Sequence, residues 1–333
     1  MVIVIGGSGL VGSHLLCDLA LKEDQVIATF TRKHKIEEVR QIFKHYHGEN
    51  SARLFEKIGW VELSILDLVG LDELISEGDV VYHCAALVSF HKKDFYQLMK
   101  INREGTANVV NTCLANKAEI LAYVSSTAAI GGEGDTEVTE KSKWKNTPTT
   151  SGYSVSKHSA EKEILRGIEE GLKAVMVNPC VILGAGNWKE SSLTMLQQVD
   201  KGLSFYPPGA NAIVDARDVS KALQLVVEKE LQGERFLLIG GNHKFKDLFS
   251  KMALAMNKKP PSILANKGLL YFAWLMASFF SGLLGKRSPI TKETIESALG
   301  TKTYSAKKFV DVFDYRFYSL DETIENAIAG RIR

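Results

Sequence analysis

The chain lacks most of the features that assign a function class on sight. Its four cysteines, Cys17, Cys84, Cys113 and Cys180, lie far apart and without Cys-x-x-Cys spacing. They form neither a disulfide frame nor a metal site and suit small buried positions in a reducing compartment. Excess charge is also missing. Against 39 acids stand 41 lysines and arginines, a net +2 with no basic block, so nothing argues for nucleic acid. Prolines number seven, and five of them (Pro207, Pro208, Pro260, Pro261 and Pro289) fall late in the chain. The triplet His45-Tyr46-His47 has no carboxylate or cysteine partner at ligand spacing, so it is expected to be a solvated helix end, and no metal is expected. The start, MVIVIGG, has no basic segment and runs straight into glycines; it reads as a strand, with a cytoplasmic location expected. Long apolar runs are absent but for one. Residues 268–285, GLLYFAWLMASFFSGLLG, are 18 residues without a charge, the lower edge of a spanning helix. Ser278, Ser281 and three glycines dilute it. A buried or cleft-covering helix is expected, a membrane-surface contact is the alternative, and a true span is not expected.

What is present is alternation. Short β-branched runs at 2–6, 26–30, 61–65, 80–85, 121–126 and 174–179 are separated by amphipathic segments at 10–22, 35–47, 71–76, 94–116 and 153–170. That order implies βαβ units. The fold class expected is α/β: a Rossmann-type, doubly wound parallel sheet over 1–180, with strands returning near 212–240. Residues 181–333 are expected to form a smaller, mostly helical substrate lobe.

Between the first strand and first helix, VIVIGGSGLVGSHLL places Gly6, Gly9 and Gly12 in a G-x-x-G-x-x-G pattern. Such glycines permit a tight turn, close approach of a pyrophosphate and close helix–strand packing, while the helix N-terminus offers unpaired N–H groups. Gly6, Gly7, Ser8, Gly9, Leu10, Val11 and Gly12 are therefore the expected dinucleotide turn. At the end of the second strand, where an NAD enzyme usually offers a carboxylate to the ribose, stand Phe30, Thr31, Arg32 and Lys33. A guanidinium there matches a 2′-phosphate, so NADP is favoured, with NAD the alternative.

Tyr153 and Lys157 lie four apart within TSGYSVSKHSAEKEIL, on one helix face. The glycine turn, YHCAA (82–86), NREGTANVV (102–110), YVSSTAAIGG (123–132), Tyr153-x-x-x-Lys157 and NPCVILGAG (178–186) follow in this order. With them the chain resembles the extended short-chain dehydrogenase/reductases of the epimerase/dehydratase superfamily, in the branch of dihydroflavonol-reductase-like and 3β-hydroxysteroid-dehydrogenase-like oxidoreductases. The resemblance extends to VDARDV (214–219) and YSAKKFVDVFDYRF (304–317), nearly the whole length. It implies that Tyr153 is the proton donor or acceptor and Lys157 its activator. It places the hydroxyl partner at Thr127, with Ser126 as the fallback, and Asn102 near the active site. Ala85, Ala86, Ser125, Asn178, Pro179, Cys180 and Val181 would flank the cofactor, and dimerisation through the helices near 94–116 and 153–170 is a family expectation. Two departures stand out. Leu63-Ser64-Ile65 replaces the usual Gly-Asp-Ile at the adenine, leaving Ser64 and Ile65 as the expected contacts. NPCVILGAG replaces the arginine-led segment of nucleotide-sugar enzymes.

The chemistry needs these residue types. Hydride transfer at a carbinol carbon must be coupled to proton movement on its oxygen, and a phenol of ordinary acidity needs a neighbouring cation to serve at neutral pH. The reading is an NADP-preferring oxidoreductase that interconverts a carbonyl and an alcohol on a small, fairly apolar substrate. One rival is a nucleotide-sugar epimerase or dehydratase with tightly held NAD. Another is a non-catalytic NADP-binding regulatory protein, which would be expected to lose Tyr153 or Lys157. Val88, Ser89, Phe90 and His91, after the fourth strand, and Trp188, after ILGAG, are the candidate substrate-facing residues; His83 is expected to be structural.

Overall fold

The computed structural model describes residues 1–132, 135–148, 150–283, 288 and 291–332, without the side chains of 279, 280, 282 and 283. Its strands include β1 (Val2–Ile5), β2 (Val26–Phe30), β3 (Ile58–Glu62), β4 (Val80–His83), β5 (Ile120–Val124), β6 (Ala174–Pro179), β7 (Val181–Leu183), β8 (Ala210–Asp215), β9 (Arg235–Leu238) and β10 (Gly241–Lys244). The main sheet has seven strands in the order β9-β6-β5-β4-β1-β2-β3, and every pairing in it is parallel. Winding starts at β1 and runs outward both ways, so the carboxyl ends of β1 and β4 open a crevice where the strand order reverses.

The principal helices are α1 (Leu10–Lys22), α2 (Lys35–His47), α3 (Gly105–Ala115), α4 (Gly152–Glu169), α5 (Ala216–Glu228), α6 (Phe245–Ala255), α7 (Lys267–Leu283), α8 (Lys292–Leu299), α9 (Lys307–Phe313) and α10 (Leu320–Ala329). Apolar residues of the strands are buried on both faces, as a parallel sheet covered by helices requires. Val4, Leu15, Ala28, Phe43, Val177 and Phe236 belong to one core; Ile3, Ile5, Val81, Leu121, Tyr123 and Ile164 belong to the other. A third core, with Leu183, Trp188, Leu196, Phe249 and Ile324, fills the later lobe.

The expected class is found, with three differences. β3 occupies Ile58–Glu62 rather than 61–65, because its partner β2 ends at Phe30, opposite Glu62. Beyond that pair Leu63 makes only one further bond to Phe30. Of the strands expected to return near 212–240, β9 completes the main sheet at its edge. β8 instead forms a separate three-stranded sheet, β10-β8-β7. The segment expected as helical at 94–116 runs without a gap from Phe95 to Ala115, but Met99–Glu104 within it forms a π-helical turn between Phe95–Leu98 and α3.

Candidate active site

The glycine turn closes the crevice from below. Gly6 has φ +82°, and a Cβ there would lie 2.7 Å from the backbone of Ala85 after β4. A Cβ at Gly12 would lie 2.3 Å from the Gly6 carbonyl oxygen. Neither position admits a side chain. Thr29 holds the turn, its hydroxyl accepting from Gly6 N–H at 2.9 Å and its carbonyl from Gly7 N–H at 3.0 Å. Helix α1 then starts with no acid in its first turn, and its cap residue Gly9 makes no side-chain cap. First-turn N–H groups and the positive helix end therefore face outward for an external anion, which fits a dinucleotide pyrophosphate.

The cations at the end of β2 are arranged differently from the sequence expectation. Arg32 is exposed and its guanidinium stands 4.0 Å from Glu190; Lys33 is exposed. Lys35, which the sequence did not single out, is buried and bonds Glu38 at 2.7 Å and also Glu190. Glu190 thus reaches across from the segment after β7 to neutralise the edge where a 2′-phosphate would sit.

Tyr153 and Lys157 sit in the first turns of α4, started by the Ser151 hydroxyl, which accepts from Ser154 N–H. Tyr153 is half-buried, with Phe90 edge-on at 5.9 Å. Burial raises its pKa above the ordinary 10, opposed by a hydrogen bond with the Ser126 hydroxyl. Ser126, the fallback, is thus the strand-end hydroxyl that acts on the acidity of the phenol. Thr127 begins the short turn Thr127–Ala129 that the Ser126 side chain caps.

Lys157 is buried to the root. Its Nζ donates to the Tyr123 hydroxyl at 2.6 Å and to the Val124 carbonyl at 2.8 Å. Two of three ammonium protons are thereby placed, and desolvation lowers its pKa to about 7, opposed by the charge of Glu161. Behind it, Glu161 is buried and accepts from Ser125 Oγ at 2.6 Å, Asn178 Nδ2 at 2.5 Å and Arg235 at 3.1 Å. Glu161 and Tyr123 were not singled out from the sequence. The signal for Glu161 was available, since Tyr153, Lys157 and Glu161 repeat at four-residue spacing on one face. Tyr123 is indistinguishable in sequence from any strand aromatic.

The remaining expected residues divide by placement. Asn102, in the π-helical turn, bonds Leu87 N–H at 2.7 Å, Leu87 carbonyl at 2.9 Å and Ser156 at 2.9 Å. It braces the loop after β4 against α4. Asn178 donates to the Ser126 carbonyl and Glu161, so it supports the strand end. Pro179 and Cys180 are buried beside Leu238. Ser64 is exposed and Ile65 is buried against Gly105. Ala85 and Ala86 follow β4 at the crevice, and Ser89 Oγ donates to Asp94 at 2.7 Å. Trp188 departs from the substrate-facing expectation: it is buried in the lobe core, its Nε1 donating to the Ala327 carbonyl. His83 is structural as expected, buried and bonded to Thr106 at 3.0 Å, its pKa lowered by burial to about 3. The expected solvated helix end at His45 and His47 is instead tied down, to Asn326 and the Cys17 carbonyl, because α10 and α1 pack beside it. No metal-binding cluster occurs among the described residues.

Comparison with known proteins agrees with this fold. Residues 2–240 match the model of the NAD dependent epimerase/dehydratase family. A protein of Synechocystis sp. assigned as a dihydroflavonol 4-reductase is 23% identical over 98% of this chain and 92% of its own. The decarboxylating sterol-4-alpha-carboxylate 3-dehydrogenase of Dictyostelium discoideum is 23% identical over 92% and 91%. The crystal structure of UDP-glucuronic acid 4-epimerase from Bacillus cereus, in complex with NAD, superimposes with a TM-score of 0.72 at 17% identity, covering 99% of this chain and 95% of that one. The chain belongs to the NAD dependent epimerase/dehydratase family, within the extended short-chain dehydrogenase/reductases.

Proposed function

We propose that the protein is an NADP-preferring oxidoreductase that interconverts a carbonyl and an alcohol on a small, fairly apolar substrate. The observation that carries the reading is the α4 face, where a half-buried phenol and a desolvated lysine stand one turn apart with their other partners supplied by the protein. The bound dinucleotide supplies or accepts the hydride. Everything else falls to the chain.

Tyr153 keeps its proton at neutral pH because burial disfavours the phenolate. It is therefore set to donate that proton to a carbonyl oxygen as the carbonyl is reduced. Ser126, with Thr127 beside it, offers a hydroxyl to the same oxygen and stabilises its developing charge. Lys157, held by Tyr123 and Val124, keeps a third ammonium proton for a ribose hydroxyl and lowers the cost of charge on Tyr153. Phe90, packed on the phenol ring, gives the substrate side an apolar wall. The oxidoreductase names of the Synechocystis and Dictyostelium relatives support the reaction class.

A second reading, a nucleotide-sugar epimerase or dehydratase with tightly held NAD, is favoured by Glu190, which occupies Arg32 and Lys35. The experiment is turnover of a ketone panel with NADPH and NADH, wild type against Tyr153→Phe. Loss of turnover in the variant is expected. Full turnover in Tyr153→Phe would refute the proton-donor role, and NAD retained through purification would favour the second reading.

A further inference from the structure

Helix α7 presents an apolar face to solvent. Leu269 is 37% exposed, Phe272 60%, Leu275 57% and Met276 38%. Their spacing gathers them into one stripe along the helix. The adjoining face is occupied: Tyr271 Oη donates to Glu296 at 2.5 Å, and the Lys292 ammonium lies 4.8 Å over the Trp274 ring. These contacts fix α7 on α8 and leave the stripe outward. The expectation of a buried helix is not met, since every described side chain of α7 is exposed or only partly covered; residues 284 and 285 of that stretch lie outside the described residues. No helix among the described residues is long and apolar enough to cross a membrane.

The sequence around the stripe carries charge of one sign, although Glu296 of α8 meets Tyr271 on the adjoining face. From residue 248 to residue 292 the sequence contains no aspartate or glutamate, but seven lysines and arginines, within a chain whose net charge is only +2. Lys251 and Lys258 pair with Asp321 and Asp200, while Lys259, before the helix, and Lys267, its first residue, are exposed. An exposed apolar stripe within a cation-rich segment matches a bilayer surface bearing anionic headgroups, where the side chains enter the acyl boundary and the cations meet phosphate and carboxylate. A second copy of this chain would instead set cation against cation. Helix α8, on which α7 rests, borders the active site. Glu293, at the start of α8, accepts from the Gly152 N–H that opens α4 and faces Lys92 and His91.

We propose that α7 docks the protein in the plane of an anionic lipid bilayer, Phe272 and Leu275 inserted and Lys259 and Lys267 on the headgroups. This goes beyond the reaction proposed above and is read without turnover. The test is cosedimentation of the full chain with vesicles of phosphatidylcholine alone, or of equal parts phosphatidylcholine and phosphatidylserine. Wild type is expected to pellet with the mixed vesicles and to remain in the supernatant with phosphatidylcholine. Phe272→Ser/Leu275→Ser is expected to stay in the supernatant with both. Lys259→Gln/Lys267→Gln, a change of surface charge only, is expected to weaken binding roughly thirtyfold. Melting temperatures matching wild type establish that the variants fold. Wild type remaining in the supernatant with both vesicles overturns the proposal, as does pelleting unchanged in folded variants. A dimer in wild type that Phe272→Ser/Leu275→Ser converts to monomer assigns the stripe to a second copy and overturns it equally.

Discussion

Lys157 and Arg32 are both proposed to meet the cofactor, yet the structure treats them in opposite ways. Lys157 is 1% exposed, with two acceptors within 2.8 Å and a pKa lowered to about 7. The Arg32 side chain is 62% exposed and its partner Glu190 lies at 4.0 Å. A buried cation is fixed in place and its charge is costly, so its surroundings decide its protonation. An exposed one is screened by water and salt and contributes little to any single contact. The contrast teaches that, under the proposed function, catalytic capacity is built into the interior of this fold while cofactor choice falls to its rim.

The largest expected effect tests the interior. Lys157→Met should lower turnover by about 10²–10⁴-fold, measured as kcat at saturating cofactor, since it removes the group that tunes the proton donor. Glu161→Ala should lower stability by about 3 kcal/mol in urea unfolding, because Arg235, Ser125 and Asn178 all lose their shared acceptor. Stability should also follow the lysine's titration. The folded pKa, about 7, lies below the ordinary 10.5, so between them the unfolded chain binds the extra proton. The contribution of Lys157 to stability is full above its unfolded pKa and is lost as pH falls toward 7. The urea midpoint of wild type relative to Lys157→Met should therefore rise between pH about 7 and about 9; a flat difference would break the comparison.

Ser126→Ala should cost more turnover than Thr127→Ala, by about tenfold, and the reverse order would return the hydroxyl role to Thr127. At the rim, Arg32→Ser should shift the NADPH-over-NADH preference in kcat/KM by no more than about fivefold, and less at high salt. A far larger shift would mean that Arg32 becomes buried on a bound phosphate.

Much of this was legible because periodicity and turn chemistry are local. β2, β6, α1 and α2 lie where their sequence patterns place them, and the spacing of Gly6 and Gly12 already implied the close contacts that exclude a Cβ. What could not be read depends on partners distant in sequence. The end of β3 is set by the length of β2. The bond that places Lys157 comes from Tyr123, 34 residues earlier. The proposed choice of Ser126 over Thr127 rests on one residue at the mouth of a short turn, and the masking of Lys35 depends on Glu190, in a later segment. Exposure of α7 was equally hidden, since an apolar run looks the same whether or not the fold covers it.

The π-helical turn at Met99–Glu104 carries a consequence for how such a chain can change over generations. A turn of this kind holds one residue more than an α-helix would use. Deleting any one residue there would regularise the helix and rotate the preceding turn by about 100°. Phe95 and Leu98 would swing away from Gly152, and Asn102 would release Leu87 and Ser156. Single-residue insertions and deletions, which exposed loops absorb freely, are thus expected to be absent from this stretch in any descendant that keeps its activity.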